Sequence, residues 1–177
     1  MATLLLAQLA LLAYHQATTL CDFFPFNGAR YTKRSERRVE AAVNFVLMAL
    51  PPIGFGFGVR PLMMFGCAYY FILFAVECAT WWAPCIWGAS KAWLDVYERV
   101  HAGTLSVIPR RGARPVPNLE HLILMWMTVA AALLTLREFT VLHAGPIPHL
   151  WVAWVVGAAL TLATAGRMVG RANRPRP

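Results

Sequence analysis

Five long runs without a charged residue, at 1–21, 41–59, 61–76, 122–136 and 139–166, constrain this chain more than any motif in it. A helix that crosses a bilayer needs roughly 20 largely apolar residues, with roughly 17 as the lower limit. Three of the runs reach that limit unaided, and the other two do so once a charged residue near an end is admitted. The composition agrees: 59% of residues are hydrophobic and 14% charged, where soluble domains carry about 25% charge. The expected fold is therefore an all-α membrane protein, one domain over 1–177. Five transmembrane helices are expected at about 3–24, 38–58, 61–87, 119–142 and 148–168. A short amphipathic interfacial helix is expected at about 89–102, and the basic tail 169–177 reads as disordered.

The net charge of +8 would suggest nucleic acid in a soluble protein, but its distribution argues against such a partner. Arg30, Lys33, Arg34, Arg37 and Arg38 follow the first segment, and Lys91, Arg99, Arg110, Arg111 and Arg114 follow the third. Arg167, Arg171, Arg174 and Arg176 follow the fifth, which leaves only Arg60 and Arg137 on the other side. By the positive-inside rule the N-terminus is outside and the C-terminus cytosolic. The first segment lacks a positive n-region and an A-x-A site, so it is expected to remain as a span. Cys21, Cys67, Cys78 and Cys85 form no C-x-x-C. Three of them fall at cytosolic helix ends, where thiols stay reduced, so all four read as small buried hydrophobes.

The polar residues inside the apolar segments carry whatever function there is. Gln8, His15 and Asp22 recur at spacings of seven with Thr18 and Thr19 between the last two, a stripe on one helix face. Glu36, Glu40 and Asn44 form a second stripe, after Ser35 as a candidate cap. In the second segment, Pro51 and Pro52 are expected to kink or end the helix near Leu50, with Gly54, Gly56 and Gly58 loosening the turn beyond. Glu77 is the least expected residue. A carboxylate in a membrane segment costs several kcal/mol unless paired, protonated or near water. Its distance of roughly 24 Å from Pro61 places it in the inner third, where His15 or Tyr70 would pair with it. Trp81, Trp82, Trp87 and Trp93 read as an interfacial belt.

Residues 89–103 place Trp93, Val96, Tyr97 and Val100 on one face, with Lys91, Asp95, Glu98 and Arg99 opposite. Glu98-x-x-His101 has the spacing of di-iron carboxylate bundles, and Glu120 with His121 would supply part of a second set. One such copy does not make a metal site, so Glu98, His101 and His121 stand only as metal candidates. Asn118 is a good cap for the fourth segment, and Arg137-Glu138 near its end reads as a local ion pair. His143 and His149 fall on a short turn.

The candidate polar cluster is thus His15, Asp22, Asn44, Glu77, Glu98, His101, Glu120 and His121. Arg34, Arg37, Arg38, Arg110 and Arg111 are candidates for lipid head-group contacts. No catalytic signature is present, and nothing identifies a cofactor. Three function classes fit: a lipid- or small-ligand-binding protein or accessory subunit of a membrane complex, an inner-face enzyme using the His, Glu and Asp residues, and an oligomeric transporter or channel with Glu77 and the Pro51–Pro52 break on its path. The first has the most support. Membrane lipids and a second copy or larger complex are the expected partners, and a bacterial inner membrane is the expected site.

Overall fold

A computed structural model describes residues 1–110 and 112–143. Arg111, the turn with His149, the expected span 148–168 and the tail 169–177 lie outside the described residues. Within the described residues the chain is helical: α1 (Ala2–Leu20), α2 (Arg34–Phe57), α3 (Arg60–Glu77), α4 (Ala83–Trp87), α5 (Lys91–Val100) and α6 (Leu119–Leu142). A π-helical turn, Cys78–Trp82, joins α3 to α4, so that Arg60–Trp87 is one rod of 28 residues. Three helices are long and apolar enough to cross a membrane: α2, the Arg60–Trp87 rod and α6. The 19-residue α1, which contains Gln8, His15 and Gln16, is not among them.

α1 packs on α2 and α6, and α3 packs on the same two, so the four long elements form a ring. Its helices alternate in direction. Arg37 near the start of α2 donates to the Leu20 carbonyl at the end of α1, 3.1 Å away. At the other end the Met1 amino group meets Glu138 of α6 at 3.1 Å, in place of the expected Arg137–Glu138 pair. Apolar side chains from all four helices meet in the middle: Leu4, Phe55, Met63, Cys67, Leu136 and Phe139 in one layer, then Leu11, Tyr70, Ala131 and Ala132 in the next. Leu6, Leu9, Val43, Val46, Ile72, Val76, Trp126 and Leu133 are exposed on the outside. Apolar residues outside and polar pairs inside are what lipid demands of a spanning bundle.

Two prolines behave differently from the expectation. α2 runs without interruption through Pro51 and Pro52, both buried, and ends at Gly58 in the left-handed conformation (φ 68°). The missing backbone donors are tolerated where a neighbouring helix covers the site. Pro51 lies so close to Gly66 of α3 that a Cβ there would be 2.9 Å from the proline's Cβ. Pro84, by contrast, does disturb its helix. Its ring clashes with the carbonyl one turn back, and the chain responds by widening into the π-turn, closed by the Ala83 N–H on the Cys78 carbonyl. Ser35 is not a cap either: Lys33 occupies that position and Ser35 sits in the first turn.

Beyond the ring at the end rich in Lys and Arg, α5 and two loops form a cover. Ser90 caps α5 by accepting from Trp93 N–H at 3.3 Å, and Tyr97 and Val100 bury its apolar face. The loop after α1 is held by Asn27, and the loop before α6 by the Leu105 N–H on the Pro25 carbonyl (2.9 Å) and the Leu119 N–H on the Leu105 carbonyl (2.8 Å). Asn118 caps α6 as the sequence implies, its Oδ1 accepting from His121 N–H at 3.0 Å. All four cysteines are free.

Candidate functional site

Between the ring and its cover lies a polar cavity of about 320 Å³. Thr18 and Thr19 come from the last turn of α1, and Glu36, Arg37 and Glu40 from the first turns of α2. Arg99 and His101 come from α5 and its C-cap, and Glu120 and His121 from the first turn of α6. Thr32, Gly28 and Ala29 close the wall between α1 and α2. The cavity exists because three helix ends and one surface helix meet here, each bringing the polar residues that membrane helices keep at their ends.

Behind the cavity is an aromatic cluster. The Trp81 ring, 5% exposed, lies 4.0 Å from the His121 ring and 4.9 Å from the His101 ring, centroid to centroid. The two imidazoles are 5.5 Å apart. Trp81 is therefore an interior residue, not part of an interfacial belt. Of the four tryptophans, Trp87 alone is more than half exposed, at 51%. Hydrogen bonds fix one of the histidines. The Asn118 amide donates to Thr104 Oγ1 at 3.1 Å, and Thr104 donates to the His101 carbonyl at 2.7 Å. Asn118 Oδ1 lies 2.6 Å from His121 Nδ1. A carbonyl oxygen only accepts, so the His121 proton is on Nδ1 and Nε2 is the acceptor nitrogen of the ring. Glu120 Oε2 stands 3.7 Å from the same ring nitrogen.

The other candidates are dispersed. His15 is buried, with Nδ1 3.4 Å from Thr19 Oγ1. Asp22 is past the end of α1, exposed, and paired with Arg30 at 3.0 Å; this guanidinium holds its carboxyl below the usual range. Asn44 donates to the Glu40 carbonyl of its own helix at 3.0 Å. Glu98 and His101 part company. Glu98 faces outward in an ion pair with Arg110 that lowers its pKa, while His101 turns inward. Among the described residues no three His, Cys, Asp or Glu side chains are gathered so as to hold a metal ion. Glu77 is 7% exposed and pairs with neither His15 nor Tyr70: its Oε1 accepts from Thr128 Oγ1 at 3.1 Å. Arg37 and Arg110 are engaged within the protein, whereas Arg34 and Arg38 are exposed. Arg111 lies outside the described residues.

Sequence reasoning passed over Thr104, Thr128 and the inward face of Trp81. The signal for Thr128 was present: it and Thr135 are the polar residues of the neutral run 122–136. Thr135 accepts from Gln8 Nε2 at 2.9 Å.

His101 gives the site a pH dependence. Burial pushes its pKa down to about 4, against an ordinary value of about 6.5. A histidine held neutral by folding stabilises the protein above its unfolded pKa, and that stability is lost as the pH falls from about 6.5 toward 4. At pH 5 the expected loss is about 2 kcal/mol relative to pH 7.5. The detergent-solubilised protein should melt at a lower temperature at pH 5 than at pH 7.5, and His101→Phe should narrow that difference. An unchanged pH dependence in the variant would show that other groups carry it.

Compared with protein families, curated proteins and solved structures, the chain matches none of them.

Proposed function

We propose that this chain is an integral membrane protein with its basic end facing the cytosol, and that the cavity at that end binds the head group of a zwitterionic amphiphile. One observation carries the reading: Glu40 and Glu120 face the same cavity as Arg99, whose guanidinium makes no hydrogen bond or ion pair among the described residues. The carboxylates suit an ammonium and the guanidinium suits a phosphate, each through charge-assisted hydrogen bonds. Along α2 the Glu36–Glu40 wall adjoins exposed Val39, Val43 and Val46, a path for an acyl chain within the lipid phase. The Lys and Arg residues ringing this end favour the cytosolic leaflet, in a bacterial inner membrane.

A second reading, acid–base chemistry at the same place, is favoured by the Glu120–His121 approach of 3.7 Å beside the cavity. For the transporter reading, α2 offers no break at Pro51–Pro52, through which it continues, and Glu77 is the remaining feature.

Native mass spectrometry from a mild detergent tests the proposal, with phosphatidylethanolamine and phosphatidylglycerol offered at equal concentration. Phosphatidylethanolamine should be retained preferentially, and Glu40→Gln, Glu120→Gln and Arg99→Gln should each weaken retention about tenfold or more, the scale of one charge-assisted hydrogen bond. Equal retention of both lipids by all four proteins would overturn it. A copurifying polypeptide would point instead to an accessory subunit.

A further inference from the structure

Glu77 lies on the bundle side of Trp81, one helical turn before it, and outside the cavity just described. Its surroundings pose a charge problem. The residue is 7% exposed, Oε1 has the Thr128 hydroxyl as its donor, and Oε2 is buried with no hydrogen-bond partner. No ion pair reaches it among the described residues. Tyr69 and Cys78 are titratable neighbours on its own rod, and Tyr70 lies two turns away on the same face. α6 offers Thr128 and, about two turns further on, His121 and Glu120; α1 offers His15, which is turned to Thr19. The phenol oxygens of Tyr69 and Tyr70 are likewise buried and unpartnered.

A buried carboxylate with one hydroxyl for company is too costly to remain an uncompensated anion. We propose that Glu77 is a monovalent cation site, taking up a proton or a sodium ion that neutralises its carboxylate inside the bundle, and that Trp81 closes this site from the cytosolic cavity. The π-turn is the mechanical part of the device. It begins at the residue after Glu77 and carries Trp81, so any change in its winding moves the carboxylate and the indole relative to each other. The uptake of a cation at Glu77 is independent of what the cavity binds.

Carbodiimide labelling distinguishes the possibilities. A carboxylic acid adds across the carbodiimide, its proton going to nitrogen and its oxygen to the central carbon, and the adduct rearranges to a stable acylurea with no group lost. An ionised or sodium-bound carboxylate does not react. In sodium-free buffer near pH 7, dicyclohexylcarbodiimide should modify the peptide containing Glu77 in the folded wild-type protein, one adduct per chain at that residue. Glu77→Gln should lack that adduct. If 100-fold excess sodium over carbodiimide slows the reaction at constant ionic strength, sodium is the physiological cation; if it does not, the proton is.

A water-soluble cationic carbodiimide should leave Glu77 untouched in the wild type and modify it at least tenfold faster in Trp81→Ala. Absence of the Glu77 adduct in the folded wild-type protein, when the same peptide reacts after denaturation in acid, would overturn the cation site. Equal modification of wild type and Trp81→Ala by the soluble reagent would overturn the closure. Both decisive measurements on the cation site use the wild-type chain, so a variant that fails to fold does not blunt them.

Discussion

Gly54→Val is expected to leave no monodisperse folded protein in detergent, while Gly56→Val in the same helix behaves as wild type. A Cβ on Gly54 would lie 2.7 Å from Leu62 Cβ and 2.8 Å from both the Leu62 carbonyl carbon and the Met63 nitrogen. Two of these three atoms are backbone in the first turn of α3, so no side-chain rotation relieves the contact. α2 and α3 would have to separate, and with them the Phe55–Met63–Cys67 layer that closes this end of the ring. Overpacking in a well-filled core costs typically 1–3 kcal/mol, and more where backbone is involved, so the expected loss exceeds about 3 kcal/mol. A Cβ on Gly56 would meet nothing within 4 Å, which makes this position an internal control for helix propensity and expression. Size-exclusion chromatography and a thermal melt in one detergent suffice. If Gly54→Val were as monodisperse and stable as Gly56→Val, the close α2–α3 approach would be wrong.

The contrast between these glycines also marks how far the sequence could be read. A neutral run with a good cap locates a helix almost without help, and α6 begins at Leu119 behind Asn118 and ends at Leu142, where the sequence places it. The proline pair in α2 misleads because the breaking rule is a rule about unsupported backbone. Gly66 across the interface lets Pro51 pack, and no property of the segment itself reveals that. Glu98 and His101 mislead for a local reason. Their spacing joins them on one helix face only while the helix lasts, but His101 is the C-cap, at φ −115° and ψ −19°, and its ring leaves that face for the interior. Trp81 was hidden because tryptophan near a helix end has the same composition whether it faces lipid or a histidine pair. The Glu77–Thr128 contact joins residues 51 apart in sequence; burial of the carboxylate followed from its segment, but its partner depended on which helix stood opposite.

Asn27→Ala should be among the most damaging substitutions of a loop residue in the described chain, with an expected loss of about 4 kcal/mol. The side chain is 1% exposed and forms three hydrogen bonds. Its Nδ2 donates to the Thr18 carbonyl at 2.7 Å and to the Cys21 carbonyl at 2.8 Å, and its Oδ1 accepts from Phe23 N–H at 2.9 Å. Two of the carbonyls that α1 leaves without intrahelical donors at its end are satisfied in this way. Alanine strands three backbone groups at once, and each buried group left without a partner costs roughly 1–3 kcal/mol; partial access to water at Cys21 and Phe23 keeps the sum near the lower part of that range. Asn27→Asp retains the acceptor and loses both donors, so it should fall between alanine and wild type, closer to alanine. The consequence reaches the cavity, because Thr18 and Thr19 line it from the turn that Asn27 secures, and adjacent Gly28 packs against the Val100 carbonyl of α5. Retention of the lipid proposed for the cavity should therefore weaken in Asn27→Ala even at temperatures where the protein remains folded, together with a lowered melting temperature. A melting temperature within one degree or so of wild type would show that α1 ends without this support, and that the cavity wall is held by α5 alone.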